Sequence, residues 1–482
     1  MNWILVIEIV YILILVIVCF RIVFDTRSAT KTLAYLLFAV FVPIAGMIFY
    51  FMFGTNFRNK KIYSKKLIEN EETASQLRAQ IHNYSKQIFI ENETVFQGNK
   101  KLAVMLTRDI QSPLTAENSV SILKNGEEKF PEVLHAIQNA KHHVHIEYYI
   151  FEDDEIGREI EKLLIKKVQE GVVVRFIYDD FGSRSIRKKM VKRLKTAGVQ
   201  IFPFLKISFI ALANQINYRN HRKIIIVDGQ TAFVGGINVS DKYINKKEDQ
   251  LYWRDTHLRI DGPGVFYLQY LFLTDWNFCS KEKIQSDTLF FPDEIDSTDD
   301  NKIVQIVASG PDSKTSSVLY SIVQTINLAK REILITTPYF IPGETLMDAL
   351  IIASLSGVNV KLLVPGISDS RFVNAAARSY YNELLNAGVE IYLYKKGFIH
   401  AKTIVADDSI AMIGTANMDL RSFDLNFEVN AIVYDADTAK ELKNIFYSDL
   451  NDAEKIDSDV WKARPKWIQL LERIAKLVSP ML

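Results

Sequence analysis

Two long apolar runs open the chain: Trp3 to Phe20 is interrupted only by Glu8, and Leu33 to Gly54 carries no charge. As helices they reach roughly 27–33 Å, enough to cross a hydrocarbon core of ~30 Å, so the pattern predicts a transmembrane hairpin over residues 1–57. Pro43 and Gly46 should kink the second span. No Lys or Arg precedes the first run and no small-x-small cleavage site follows it, which argues against a removed signal peptide. Arg58, Lys60, Lys61, Lys65 and Lys66 follow the second span, whereas the connecting loop has Arg27 and Lys31, with Arg21 close by. The larger cluster predicts that both termini and the C-terminal domain stay in the cytoplasm. Residues 58–110, polar with scattered apolar positions, read as a helical connector.

Further along the pattern changes period. Short β-branched runs alternate with helical stretches such as 156–170 and 345–356, as in an α/β layer sandwich, and they do so twice. Ala140–Ile146 resembles Ala329–Ile335, Gly171–Ile177 resembles Gly357–Leu363, and Ala197–Phe202 resembles Ala387–Tyr392. A polar stretch from Ser280 to Lys302 has the composition of a linker. The expectation is therefore an α/β protein with two similar α/β/α sandwich halves, 111–290 and 291–482. The first half carries extra apolar residues, Phe204 to Ala213, just before its motif. They suit a lipid-entry wall or an additional core helix, and composition does not separate the two.

Each half contains one copy of a spaced polar pattern: His221-x-Lys223-x4-Asp228-x6-Gly235-x2-Asn238, and His400-x-Lys402-x4-Asp407-x6-Gly414-x2-Asn417. An apolar run follows each His-x-Lys, the mark of a buried strand, on which residues two apart share a face. A His–Lys pair is a poor metal site because an ammonium repels a cation, but it suits an anion. Two such pairs, with Asn238 and Asn417 as amide donors, would surround one phosphate. One imidazole can then attack phosphorus while the other protonates the leaving alkoxide, and the lysines take the charge-stabilising task of a metal. Each working imidazole needs a carboxylate on its other nitrogen; Asp255 and Glu428 lie at comparable places downstream of the two motifs. Asp228 and Asp407 complete the motif's catalytic group, although, following strands, they are better placed to fix turns or backbone amides than to touch phosphate. Arg421 and Ser422 follow the second motif and suit either substrate contact or a salt bridge. Histidines 82, 135, 142, 143, 145 and 257 share no pattern and read as structural.

Composition narrows the choice of partner. Net charge is +1 and pI about 7.7, which makes the chain as a whole no electrostatic trap for nucleic acid. The two cysteines, Cys19 and Cys279, form no CxxC pair, so no zinc or iron–sulfur site and no disulfide framework is expected. Two basic, partly apolar segments, Arg184 to Lys195 and Trp461 to Leu482, are expected against an anionic bilayer.

The doubled His-x-Lys-x4-Asp motif resembles that of the phospholipase D superfamily. The hairpin and the stretches Ile146–Phe151, Asn220–Lys223, Trp253–His257, Thr337–Phe340 and Gly414–Phe423 are similar to the bacterial cardiolipin synthases, over essentially the whole chain. One departure is Gly236, where that family often has Ser or Thr, which removes a hydroxyl donor from the first half. The resemblance implies phosphatidyl transfer between two phosphatidylglycerol molecules, giving cardiolipin and glycerol without cofactor or metal. It assigns His221 as nucleophile and His400 as general acid. Rival readings are a membrane-attached hydrolase or nuclease, a phosphatidylserine synthase using CDP-diacylglycerol, and a non-catalytic scaffold; intact His and Lys in both halves count against the last.

Overall fold

Lys223–Val227 reads Lys-Ile-Ile-Ile-Val and is buried along its whole length, as a strand covered on both faces must be. It belongs to a sixteen-stranded sheet that runs through both halves. The computed structural model describes residues 3–26, 29–42, 44–51, 82–96, 98–110, 112–206, 218–246, 251–280, 284, 290–292 and 300–478. At the seam, Leu114–Lys124 pairs antiparallel with Lys302–Ser309, Leu114 opposite Gln305 and Thr115 opposite Val304. Outward from it, the first half adds Thr256–Asp261, Thr231–Gly235, Lys223–Val227, His143–Tyr148, Val173–Asp179 and Gln200–Phe204. The second adds Asn426–Tyr434, Ile410–Gly414, Thr403–Ala406, Glu332–Thr336, Asn359–Pro365 and Glu390–Tyr394, with Ala453–Lys455 on its edge. Strand for strand the order is the same, so the duplication seen in the motifs extends to the topology. The last three named strands of the first half, and Glu332–Thr336 to Glu390–Tyr394 of the second, run parallel. Crossover helices such as Glu155–Gln169 and Gly343–Leu355 join them.

Helices cover both faces. One apolar cluster packs the crossover helices of the first half, around Ile146, Ile160 and Phe176, and another packs those of the second, around Ile335, Leu350 and Leu384. A third spans the seam, where helices Val265–Cys279 and Ala436–Leu450 lie over strands from both halves.

One expectation gains detail and another changes. The described part of the connector is helical, over 82–91 and Lys100–Asp109, and it is docked on the second half. Phe89, Phe96, Leu102 and Leu106 are buried with Val318 and Ile322, and the Gln305 amide donates to the Ala103 carbonyl at 3.2 Å. The scattered apolar positions were one face of these helices. At the N-terminus, Trp3–Asp25 is the one helix among the described residues long and apolar enough to cross a membrane. The second run is divided into Ala29–Phe41 and Ala45–Phe49, with Ile44 at φ 61° between them, so two uninterrupted spans, and with them a multi-pass anchor, are not supported. Gly46 lets the break close tightly, since a Cβ there would lie 2.1 Å from the Phe38 carbonyl oxygen. The second run folds back on the first, burying Tyr50 with Val18 and Ile22 and donating the Tyr50 hydroxyl to Asp25 at 3.2 Å. The apolar insertion from 207 onward lies outside the described residues.

Candidate active site

The two motifs meet at the seam through a reciprocal exchange of backbone. Arg219–Asn220, just before the first His, pairs parallel with the start of Asn426–Tyr434; Gly397–Ile399, just before the second, pairs parallel with Tyr252–Arg254. The His221 amide donates to the Phe427 carbonyl at 3.0 Å and the His400 amide to the Arg254 carbonyl at 2.7 Å. Each histidine is thereby set against the carboxylate of the opposite half. Nδ1 of His221 lies 2.9 Å from both Glu428 oxygens, and Nδ1 of His400 lies 2.6 Å from Asp255 Oδ2. The acids expected downstream of each motif do hold the imidazoles, but crosswise, a pairing that order along the chain could not reveal. Residues flanking His221 are fixed too: Asn220 donates to Glu147 at 2.5 Å and Arg222 pairs with Asp275.

Lys223 and Lys402 are buried beside the histidines, each donating to the carbonyl of its own His, at 2.7 Å for Lys223. Burial pushes both down, to about 7 for Lys223, where the charge of Lys402 adds to it, and to about 8 for Lys402, despite the nearby acids. Burial, then the lysine charges, pushes His221 down to about 4 against the pull of Glu428. His400 is well below its ordinary value through burial, Lys402 and Lys223. The two acids diverge. Burial pushes Asp255 up to about 6, whereas for Glu428 the charges of His221 and Lys223 and the Thr415 hydroxyl, at 2.5 Å, outweigh burial and hold it low. Asp255 has no such hydroxyl because Gly236 stands at the matching place, where a Cβ would come within 2.1 Å of Asp255 Oδ1. The missing hydroxyl is the space the shorter acid occupies. A carboxylate held low and an imidazole pushed down favour Nδ1–H of His221 donating to Glu428, with Nε2 left as the acceptor nitrogen. Asp255 and His400 form the pair with more affinity for a proton.

A cavity of about 410 Å³ is lined by His221, His400, Asn238 and Asn417. Asn238 donates to the Tyr243 hydroxyl at 2.8 Å and accepts from the Ile150 amide at 3.2 Å, while Oδ1 of Asn417 is buried without a protein partner. Asp228 and Asp407 are elsewhere. Each stands in the left-handed region after its strand, φ 54° and 50°, and accepts three backbone amides: Lys141, His142 and His143 for Asp228, and Lys330, Arg331 and Glu332 for Asp407, at 2.6–2.9 Å. Grouping them with the catalytic residues is corrected by these bonds, which commit both carboxylates to backbone amides away from the cavity. Arg421 lines the cavity, but the Ser422 hydroxyl faces the Asn417 amide at 3.2 Å. Tyr149, Trp253 and Tyr339 also line it, Tyr149 with its ring edge-on to His221 at 4.8 Å; they lie in the stretches that carried the resemblance, which was the available signal. Arg219, Lys242 and Asp369 line it too and had none. Among the described residues no cluster of three or more His, Cys, Asp or Glu is disposed to hold a metal.

A family model described as cardiolipin synthase, phospholipase D-like domain matches residues 133–257 and 322–450, and one for a phospholipase D-nuclease N-terminal segment matches 9–54. The chain is 42% identical over 473 residues to the major cardiolipin synthase of Bacillus subtilis, covering 98% of this chain and 97% of that protein. It is 41% identical to a cardiolipin synthase of Alkalihalophilus pseudofirmus, over 95% and 90% of the two chains. Among solved structures, phosphatidylserine synthase of Haemophilus influenzae shares the fold, with a TM-score of 0.60 at 15% identity over 80% of this chain and 99% of that one. Together with the apolar helix Trp3–Asp25, these relatives point to association with a membrane. With two like halves, paired His-Lys motifs at their seam and near-full-length identity to these enzymes, the chain belongs to the cardiolipin synthase family of phospholipase D-like proteins.

Proposed function

We propose that this enzyme transfers the phosphatidyl group of one phosphatidylglycerol to the terminal hydroxyl of a second, through a covalent phosphohistidine on His221. The observation that carries the reading is the crosswise hold on the two imidazoles, which leaves each Nε2 as the nitrogen free for chemistry. Nε2 of His221 attacks phosphorus; the P–N bond forms as the P–O bond to glycerol breaks, and His400 gives that oxygen its proton. The second lipid's hydroxyl then attacks, His400 takes its proton and the P–N bond breaks. Lys223 and Lys402 each keep donors beyond the carbonyl they hold and offset charge on the non-bridging oxygens. Assigning the acid to His400 fits its partner, since Asp255 has the higher affinity for a proton. The catalytic domain would face the cytoplasm at the plasma membrane. Purified protein incubated with phosphatidylglycerol alone should release glycerol and a four-chain lipid, and His400→Ala should accumulate phosphohistidine while His221→Ala forms none. Phosphatidate as the sole lipid product would make it a hydrolase; phosphohistidine in His221→Ala but not His400→Ala would reverse the assignment.

A further inference from the structure

The last helix, Lys466–Val478, is docked the wrong way round for a helix of a water-soluble domain. Its apolar stripe, spaced i, i+3, i+4, i+7, is Trp467, Leu470, Leu471 and Ile474, with Leu477 beyond, and these are 65%, 59%, 55%, 47% and 81% exposed. The face turned inward carries Glu472, 4% exposed. It is held by a two-pronged bond from Arg464, at 2.7 and 2.9 Å, while the Lys476 ammonium lies over the Tyr380 ring at 4.1 Å. The Arg378–Glu472 pair at 3.8 Å, the Lys476–Tyr380 contact and the buried Ala475 fix the helix to Arg371–Asn386 and leave its apolar stripe outward. We propose that this stripe is a second membrane contact, which lies in the interface of an anionic bilayer and seats the active site on the lipid surface.

Three observations select a lipid surface as the occupant. Lys462, Lys466 and Arg473 are exposed around the stripe, and Glu472, the only acid in the helix, is buried, so the exposed charge complements anionic headgroups. The chain is already brought to a membrane at its other end, by Trp3–Asp25. The helix against which Lys466–Val478 packs, Arg371–Asn386, also borders the catalytic cavity through Val373, and there Phe372 is 43% exposed as well. The apolar stripe is therefore seated beside the element that borders the cavity.

The test uses the full chain in nanodiscs of phosphatidylglycerol and phosphatidylcholine. Emission of Trp467, taken as wild type minus Trp467→Phe, should fall at least threefold when the lipids carry acyl-chain bromines. Absence of quenching would overturn the proposal. Leu471→Glu/Ile474→Glu should cut turnover of bilayer phosphatidylglycerol at least fivefold and leave turnover of short-chain, monomeric phosphatidylglycerol unchanged; equal loss on both would also overturn it. If Trp467 is unquenched and the same double variant lowers the oligomer mass in detergent, the stripe covers a second copy instead. Quenching needs no turnover, so it reports on this contact whatever lipid reaction the enzyme performs.

Discussion

His221 and Glu428 stand 207 positions apart in sequence and 2.9 Å apart in space, the imidazole on one half and the carboxylate on the other. Neither half owns a complete acid–histidine pair. Glu428→Gln should lower turnover by about 10²–10⁴-fold, because an amide can hold Nδ1 without fixing the tautomer that leaves Nε2 unprotonated. The thermal midpoint should change little by comparison. Turnover within tenfold of wild type would mean the tautomer is set by something else.

The pH profile follows from the lysines. Lys223 and Lys402, pushed down to about 7 and about 8, are cationic below those values and neutral above them. For an anionic substrate kcat/KM should therefore fall as pH rises through 7 to 8. Bound phosphodiester favours the ammonium forms, so the same limb in kcat should lie at higher pH. A kcat/KM that climbs between pH 7 and 9 would contradict this reading of the site.

Lys223 and Lys402 are buried beside the paired imidazoles, where their ammonium forms take the place of a metal ion in offsetting phosphate charge in the proposed reaction. Excess EDTA should leave turnover within twofold of its value without chelator. A loss restored specifically by Mg²⁺ or Zn²⁺ would show that the lysines do not supply the charge stabilisation.

Thr415 and Gly236 make the two acid–histidine pairs unequal. Thr415→Val removes the hydroxyl that Glu428 accepts at 2.5 Å, a bond to a charged group worth about 1.5–3 kcal/mol, so turnover should drop about ten- to a hundredfold. Gly236→Ser puts a Cβ where Asp255 Oδ1 now sits and should displace the acid from His400, abolishing transfer while phosphohistidine still forms. Rapid quench with labelled phosphatidylglycerol separates the two outcomes.

The halves, their strands and the residues that meet at the seam were legible in sequence because burial on both faces leaves continuous apolar runs and because the duplication repeats their order. What was hidden is contact between segments far apart in the chain. Asp255 and Glu428 were recognisable as acids for the histidines, yet their exchange depends on the parallel pairing of Arg219–Asn220 with Asn426–Phe427 and of Gly397–Ile399 with Tyr252–Arg254, which no local pattern encodes. Lys242 reaches the cavity from the 3-10 turn Asp241–Tyr243 and Asp369 from the loop before Arg371–Asn386, neither with a spacing signal. The second apolar run reads as a span by composition, and the kink expected beside Gly46 is a full break of the helix at Ile44.

Because Leu114–Lys124 and Lys302–Ser309 join the halves in one hydrogen-bonded ladder, opening the seam like a hinge would have to break sheet hydrogen bonds. Many two-lobed enzymes choose their substrate by closing on it. Here the jaws are stitched together, so choice of lipid is left to the threshold: what arrives, from which leaflet, and with which group foremost.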